Sequence, residues 1–199
     1  WYNGIFVGLL YSPTAAFAEL WGVPFLTETY NMSTEVAATG ISAIFLGWAI
    51  GGPITGWISD KQGKRKPTMA LSALLSVITL SMILYIPNLS TTSLFILLFL
   101  YGITNTGVAT SYALSSEINK TEVSGTSIAF ANMASVIIGS GFQPIIGKIL
   151  DNTWDGTMIN GVPVYSISSY HSALYLLPLC LVLAFFITFK IKETNCRGK

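Results

Sequence analysis

The chain alternates between long apolar stretches and short polar connections. Six of the stretches are long enough to predict helices that cross a bilayer, because one crossing needs about 20 helical residues. Their predicted bounds are residues 4–18, 37–59, 68–86, 93–116, 124–150 and 171–189. Glu19 is predicted to mark the outer end of the first helix, with a connection over residues 20–33. The pattern therefore predicts an all-α membrane protein with six transmembrane helices.

Basic residues are distributed unevenly among the predicted connections. The loop over residues 60–67 is short and basic, whereas the long loop over residues 151–170 contains turn formers and neither lysine nor arginine. Only Lys148 lies near the side of the long loop, and the other basic residues fall on the opposite side: Lys61, Lys64, Arg65, Lys66, Lys120, Lys190, Lys192, Arg197 and Lys199. This bias predicts a cytoplasmic loop 60–67, an outer loop 151–170 and both chain ends in the cytoplasm.

The composition supports a lipid environment and excludes several classes of function. Hydrophobic residues make up 52% of the chain and charged residues only 10%, against about a quarter charged in soluble domains. A net charge of +1, without a basic face, argues against nucleic acid as a partner. Cys180 lies in an apolar run and Cys196 in the polar tail, so both are predicted to be free thiols, and no metal-ligand spacing surrounds them.

The segment that joins the second and third predicted helices carries a patterned set of residues: Gly56, Asp60, Lys61, Gly63, Lys64, Arg65 and Lys66. It resembles the G-x-x-x-D-R/K-x-G-R/K-x-R/K signature of the major facilitator superfamily, which follows the second helix of each six-helix half. The runs 17–24 (FAELWGVP) and 141–147 (GFQPIIG) are similar to the seventh and eleventh helices of bacterial members. The family's usual arginine after the aspartate is Lys61 here.

The resemblance implies the carboxy-terminal half of a twelve-helix transporter in a bacterial inner membrane. Because the chain opens on Trp1 inside an apolar segment, we expect a piece of a longer protein, with the amino-terminal half as its missing partner. The resemblance also implies a gate. Asp60 would pair with positive groups or a helix N-terminus of the other half, and Arg65 would meet an acidic residue, for which Glu117 is the candidate. Alternatively, the basic residues only anchor helix ends and Glu117 is solvated.

Neutral polar side chains occur within the predicted helices, and we expect a group of them to line a substrate cavity: Tyr11, Ser12, Asn105, Thr106, Thr110, Ser111, Tyr112, Asn132, Ser135 and Gln143. The alternative is hydrogen bonding between helices, worth about 0.6 kcal/mol each. Gly52 and Gly56 are predicted to allow close helix packing, and Pro53 to kink the second helix. Formal charge is nearly absent at depth, so a residue that couples transport to protons is expected in the missing half.

The sequence offers little support for an enzyme. His171, the only histidine, stands at a predicted membrane boundary, and there is no phosphate-binding glycine loop. We therefore predict a secondary transporter of a small polar solute, such as an amino acid or short peptide, that works by alternating access without a cofactor. Coupling to protons or another ion stays open. Two alternatives also stay open: a six-helix protein that homodimerises into a pore, and a non-transporting membrane sensor on the same fold.

Overall fold

The computed structural model describes residues 1–159 and 161–196, and these residues are mostly helical. In chain order the helices are α1 (Tyr2–Pro13), a π-helix (Thr14–Trp21), α2 (Gly22–Tyr30), α3 (Thr34–Gln62), α4 (Lys66–Tyr85), α5 (Thr91–Thr104), α6 (Gly107–Glu117), a 3₁₀ turn (Thr121–Val123), α7 (Ser124–Asn152), α8 (Ile167–Leu174) and α9 (Leu176–Thr188). A small antiparallel hairpin, β1 (Met158–Ile159) and β2 (Val162–Pro163), lies between α7 and α8.

Five helical segments in the described ranges are long and apolar enough to cross a membrane: Thr34–Gln62, Lys66–Tyr85, Thr91–Glu117, Thr121–Asn152 and Ile167–Thr188. The first predicted crossing falls in a further helical stretch, Tyr2–Tyr30, which consists of α1, the π-helix and α2 in that order. None of these three pieces alone has the length of a crossing. The helical architecture agrees with the predicted fold class.

The predicted end of the first helix at Ala18 is wrong. The chain stays helical through Glu19 to Tyr30, and the connection shrinks to residues 31–33. The sequence pattern suggested an end because a charge is followed by glycine and proline. Packing overrides this signal, since Phe17 and Phe25 are fully buried and their ring centroids lie 5.7 Å apart.

The predicted fourth helix, residues 93–116, is interrupted at Asn105 and Thr106 between α5 and α6. Ser72 of α4 stabilises the interruption because its hydroxyl donates to the carbonyl of Thr104 and accepts the N–H of Gly107 at 2.9 Å. Backbone groups that leave a helix inside a membrane need such partners. The predicted sixth helix is divided too, at Tyr175 between α8 and α9.

The remaining predicted bounds differ from the structure by a few residues. Helix α3 extends to Gln62 and α4 begins at Lys66, so the predicted loop 60–67 is reduced to residues 63–65. The predicted loop 151–170 is reduced to residues 153–166, because α7 continues to Asn152 and α8 begins at Ile167. Polar residues at these junctions form helix ends where the sequence pattern suggested loops. Arg197 and Lys199, counted on the basic side, lie outside the described residues.

Helix α1 packs chiefly against α7 and α9, α3 against α5, and α4 against α5 and α9. Glycines allow the close approach of α3 and α5, since a Cβ on Gly47 would lie 2.9 Å from the Cα of Gly102. The prediction that Gly52 and Gly56 provide close packing is not met within this chain, because a Cβ on either would meet no heavy atom within 4 Å. Their faces of α3 lie away from the α5 contact.

Candidate functional site

The turn between α3 and α4 folds the chain back on itself. Gly63 follows the last residue of α3 with φ +61°, a left-handed conformation that favours glycine. Its N–H donates to the carbonyl of Asp60 at 3.0 Å, and the N–H of Lys64 donates to the carbonyl of Ser59 at 3.3 Å. This reversal brings the next residue, Arg65, over the end of α3.

Arg65 is buried and joins two carboxylates. Its Nη1 donates to Asp60 Oδ1 at 2.6 Å and to Ser59 Oγ at 3.0 Å. On the other side, Nη2 donates to Glu117 Oε1 at 2.6 Å and Nε to the same oxygen at 3.1 Å. The side chain of Glu117 is only 11% exposed, whereas that of Asp60 is 65% exposed. Arg65 thus contacts the acidic residue that its sequence position suggested, and it also holds Asp60 within this chain.

The tail after α9 completes this arrangement. Glu193 accepts the backbone N–H groups of Arg65 and Lys66 at 2.8 and 3.0 Å, so its carboxylate caps the N-terminus of α4. Thr194 Oγ1 donates to Glu117 Oε2 at 2.5 Å. We call Asp60, Arg65, Glu117 and Glu193 the charge cluster, and the end of the bundle that carries it the basic end.

Hydrogen bonds shift the pKa values of Arg65 and Glu193. Burial by itself would lower the pKa of Arg65, but the carboxylates of Glu117 and Asp60 outweigh burial and raise it, so the guanidinium stays charged. Burial would raise the pKa of Glu193, but the donated N–H groups of Arg65, Lys66, Asn195 and Thr194 lower it. Arg65 is therefore a cation and Glu193 a carboxylate at neutral pH.

Sequence reasoning missed Glu193 and Thr194, which it described only as part of a polar, basic tail. One signal was available, since Glu193 is the only acidic residue after α9 and follows Lys190 and Lys192. Nearby, Cys196 Sγ lies 3.5 Å from the carbonyl oxygen of Ser59. The tail therefore packs against the α3–α4 turn.

The other residues of the loop motif have separate environments. Lys61 Nζ lies 4.9 Å from the centroid of the Trp57 ring, and Lys64 is exposed. Lys66 begins α4, and Gly56 faces open space. Within residues 1–159 and 161–196, no group of three or more histidine, cysteine, aspartate or glutamate side chains could hold a metal ion. His171 instead packs its ring on Tyr85, with centroids 5.4 Å apart.

Six of the ten predicted cavity residues are buried inside the bundle: Ser12, Asn105, Thr106, Thr110, Ser111 and Ser135. Asn105 Nδ2 donates to the carbonyl of Leu10 at 3.0 Å, and Ser111 Oγ donates to Asn3 Oδ1 at 2.8 Å. These buried polar side chains lie among the helices of this chain, as the alternative of hydrogen bonding between helices expects, and a cavity-lining role for them stays a prediction. Most of them bond between helices or to their own helix.

The other four predicted cavity residues are partly or largely exposed: Tyr11, Tyr112, Asn132 and Gln143. Tyr112 Oη donates to Asn132 Oδ1 at 3.1 Å, which joins α6 to α7. Gln143 Nε2 donates to the carbonyl of Ala15 at 2.8 Å, in the π-helix. These residues lie on helices α1, α6 and α7, which pack against one another.

Two residues outside the predicted set accompany Tyr11. Its hydroxyl donates to Glu19 Oε1 at 2.6 Å, and its ring meets that of Trp48 edge to face, with centroids 5.9 Å apart. Glu19 was not predicted as a site residue because it was assigned to a helix end. Trp48 was not predicted because nothing in its apolar helix distinguishes it from residues that only pack. We call Tyr11, Glu19, Trp48, Tyr112 and Asn132 the open face.

A family model described as the Major Facilitator Superfamily matches residues 5–195. Solved structures of the xylose transporter XylE from E. coli are similar to the chain. An inward-open form has 14% identity and a TM-score of 0.74, with 96% of this chain and 47% of that chain covered. A partially occluded inward-open form has 16% identity and a TM-score of 0.75, with the same coverage.

A third XylE structure, described as a proton:xylose symporter bound to 6-bromo-6-deoxy-D-glucose, has 16% identity and a TM-score of 0.77. It covers 96% of this chain and 44% of that chain. The chain therefore spans about half the length of the solved transporters that it matches. The comparison with curated proteins found no match.

Proposed function

We propose that this chain, which belongs to the major facilitator superfamily, is the carboxy-terminal half of a secondary active transporter for a small polar solute. Two six-helix halves would rock around a site at the membrane midplane. The chain's similarity to about half of each solved transporter supports a missing second half. The runs 17–24 and 141–147, which resemble the seventh and eleventh helices of bacterial members, support the carboxy-terminal assignment.

The charge cluster is the observation that carries the transport mechanism. Through Asp60, Arg65, Glu117 and Glu193 it ties α3, α4, α6 and the tail together at the basic end. A half whose helix ends are fixed in this way moves as one body. The distribution of basic residues supports a cytoplasmic location for this end. The resemblance of the runs 17–24 and 141–147 to bacterial members supports a bacterial inner membrane.

Asp60 is the member of the cluster that can reach the other half. Arg65 and Glu117 are enclosed, but the Asp60 side chain is 65% exposed, with Oδ1 bonded to Arg65. We propose that the exposed carboxylate meets a helix N-terminus of the amino-terminal half when the cytoplasmic side is closed. Such an end favours a negative charge by about 0.3–1 kcal/mol, and up to about 2 kcal/mol when partly buried.

Replacement of Asp60 by asparagine in the full-length protein tests the gate. We expect the inward-open population to rise about two- to 30-fold, which corresponds to the loss of that stabilisation. Labelling from the cytoplasmic side of a cysteine at Asn132, an exposed position, measures this population. Glu122→Gln, which removes another exposed charge near the same end, is the matched control. Equal labelling in the two variants, with normal transport, would mean that the loop only anchors helix ends.

The solute is proposed to be an amino acid or a short peptide. The five residues of the open face include four neutral side chains and one carboxylate, Glu19, and neither arginine nor lysine. This composition fits a small zwitterion better than a strongly anionic solute. Uptake of radiolabelled metabolites into liposomes that contain the full-length protein tests transport. A full-length gene without a second six-helix region would instead support a homodimeric pore.

A further inference from the structure

Glu19 is an ionisable residue well inside a helix. The stretch that contains it continues for 11 residues to Tyr30, which at 1.5 Å per residue places Glu19 about 16 Å from that end. It also lies within the π-helix Thr14–Trp21, and π-helical turns occur frequently at functional sites. Charged side chains inside membrane helices are rare and usually face the bundle interior or a water-filled solute pathway.

No cation of the described part of the chain neutralises Glu19. The ion pairs found there both belong to Arg65, and the partner of Glu19 is the hydroxyl of Tyr11, which donates to Oε1 at 2.6 Å. Glu19 is also exposed at the surface of the six-helix unit. A carboxylate that is open on one side and has only one neutral donor can accept a cationic ligand.

Tyr11, the partner of Glu19, lies beside other aromatic rings. Trp48 meets Tyr11 edge to face, and the buried indole N–H of Trp48 has no acceptor among the described residues. Tyr11 and Tyr112 lie over successive turns of α7. A Cβ on Gly139 would lie 3.1 Å from Tyr11 Cδ1, and Tyr112 Oη lies 3.3 Å from Ser135 Oγ, four residues earlier. Such rings attract cations through their faces.

We propose that the open face binds the protonated amine of a small solute, with Glu19 as the counter-charge and Tyr11 and Trp48 as aromatic walls. The amide N–H groups of Asn132, which is exposed, then donate to an acceptor group elsewhere on the solute. A neutral solute would leave Glu19 without a partner cation, and an anion would be repelled. This inference rests on the proposed transport function and names the class of its solute.

Matched pairs of probes test the charge requirement in the purified full-length protein. Choline is compared with 3,3-dimethylbutan-1-ol, which has the same shape without the charge, and 2-aminoethanol with 1,2-ethanediol. D-xylose serves as a neutral sugar probe. We expect at least one cation to raise the thermal denaturation midpoint in detergent, and its neutral counterpart to leave the midpoint unchanged.

Substitutions then assign the effect to Glu19. Glu19→Gln should weaken binding of protonated 2-aminoethanol about 10- to 100-fold, the range for losing a hydrogen bond to a charged group. Glu28→Gln, which removes an exposed carboxylate on α2, should not change it. Trp48→Phe should weaken cation binding while the charge is retained. If Glu19→Gln fails to fold, the Trp48→Phe and probe comparisons still decide the question.

The outcomes separate this inference from the transport proposal. Stabilisation by D-xylose but by neither cation would overturn the inference and leave transport intact. The Glu19→Gln variant could still exchange solute across the membrane but fail to accumulate it against a gradient. This result would assign Glu19 to proton coupling and would also overturn the inference. Cation binding that depends on Glu19, in a protein that transports none of the probes, would support the inference and count against the transport proposal.

Discussion

Replacing Glu117 by glutamine should destabilise the full-length protein far more than replacing Asp60 by asparagine. Both changes remove one carboxylate charge from Arg65 and keep the shape of the side chain. They differ in burial, because the Glu117 side chain is 11% exposed and that of Asp60 is 65% exposed. The comparison therefore isolates the effect of burial on an ion pair.

The magnitudes follow from the two environments. Removing one partner of a buried ion pair costs about 3–5 kcal/mol, because the other charge is left uncompensated. We expect about 3 kcal/mol for Glu117→Gln, since Asp60 still neutralises part of the charge of Arg65. An exposed pair contributes about 0–1 kcal/mol, which we expect for Asp60→Asn.

Equilibrium unfolding in mixed micelles, with increasing dodecyl sulfate and detection by tryptophan fluorescence, measures both losses. The double variant Arg65→Gln with Glu117→Gln provides the control, because removing both charges should cost less than the sum of the single changes. Similar losses for Asp60→Asn and Glu117→Gln, or additive single changes, would refute the argument that burial makes the Arg65–Glu117 pair the stronger one.

Three further results are expected. Gly47→Ala should cost about 1–3 kcal/mol of unfolding free energy, because its methyl group would overlap Gly102, whereas Gly52→Ala, which faces open space, should cost less in the same unfolding assay. Glu193→Gln should speed maleimide labelling of Cys196 in a full-length protein whose other cysteines, including Cys180, have been replaced, because the tail is then released from α4. Unchanged labelling would exclude docking of the tail. Because the pKa of Glu193 is lowered, its contribution to folding stability is fully present above its unfolded pKa of about 4.3 and declines as the pH falls below that value. The fluorescence anisotropy of a dye on Cys196 should therefore stay constant between pH 7 and pH 5. Release of the tail at pH 6 would contradict the assignment.

The helical fold and the basic turn could be predicted from the sequence because their signals are local. Long apolar runs predict membrane helices, and the spacing from Asp60 through Gly63 to Arg65 predicts a tight turn of known type. The contact of Arg65 with Glu117 was also within reach, since both positions were assigned to one side of the membrane. Glu193 was missed because its role depends on the tail returning to α4, which no local pattern encodes.

The polar residues inside the helices could not be sorted from the sequence. Asn105 and Asn132 have the same side chain, yet one is buried against α1 and the other is exposed on α7. Helical rotation and the break after Thr104 decide this difference, and the residue type alone does not encode either. Glu19 was misassigned for a related reason, because the charge, Gly22 and Pro24 suggested a helix end that the burial of Phe25 overrides.

The capping of α4 by the tail also has a consequence for how the chain is assembled. The guanidinium of Arg65 bonds to Glu117, which lies 52 positions later in the chain. The backbone N–H of Arg65 bonds to Glu193, which lies 128 positions later. During synthesis only Asp60 and Ser59 are therefore available to the guanidinium until the intervening helices have been made. The basic end is completed only when α9 has emerged and the segment after it returns to the first turn of α4. A truncation just before Glu193 would leave an inserted bundle whose earliest charged turn is never completed.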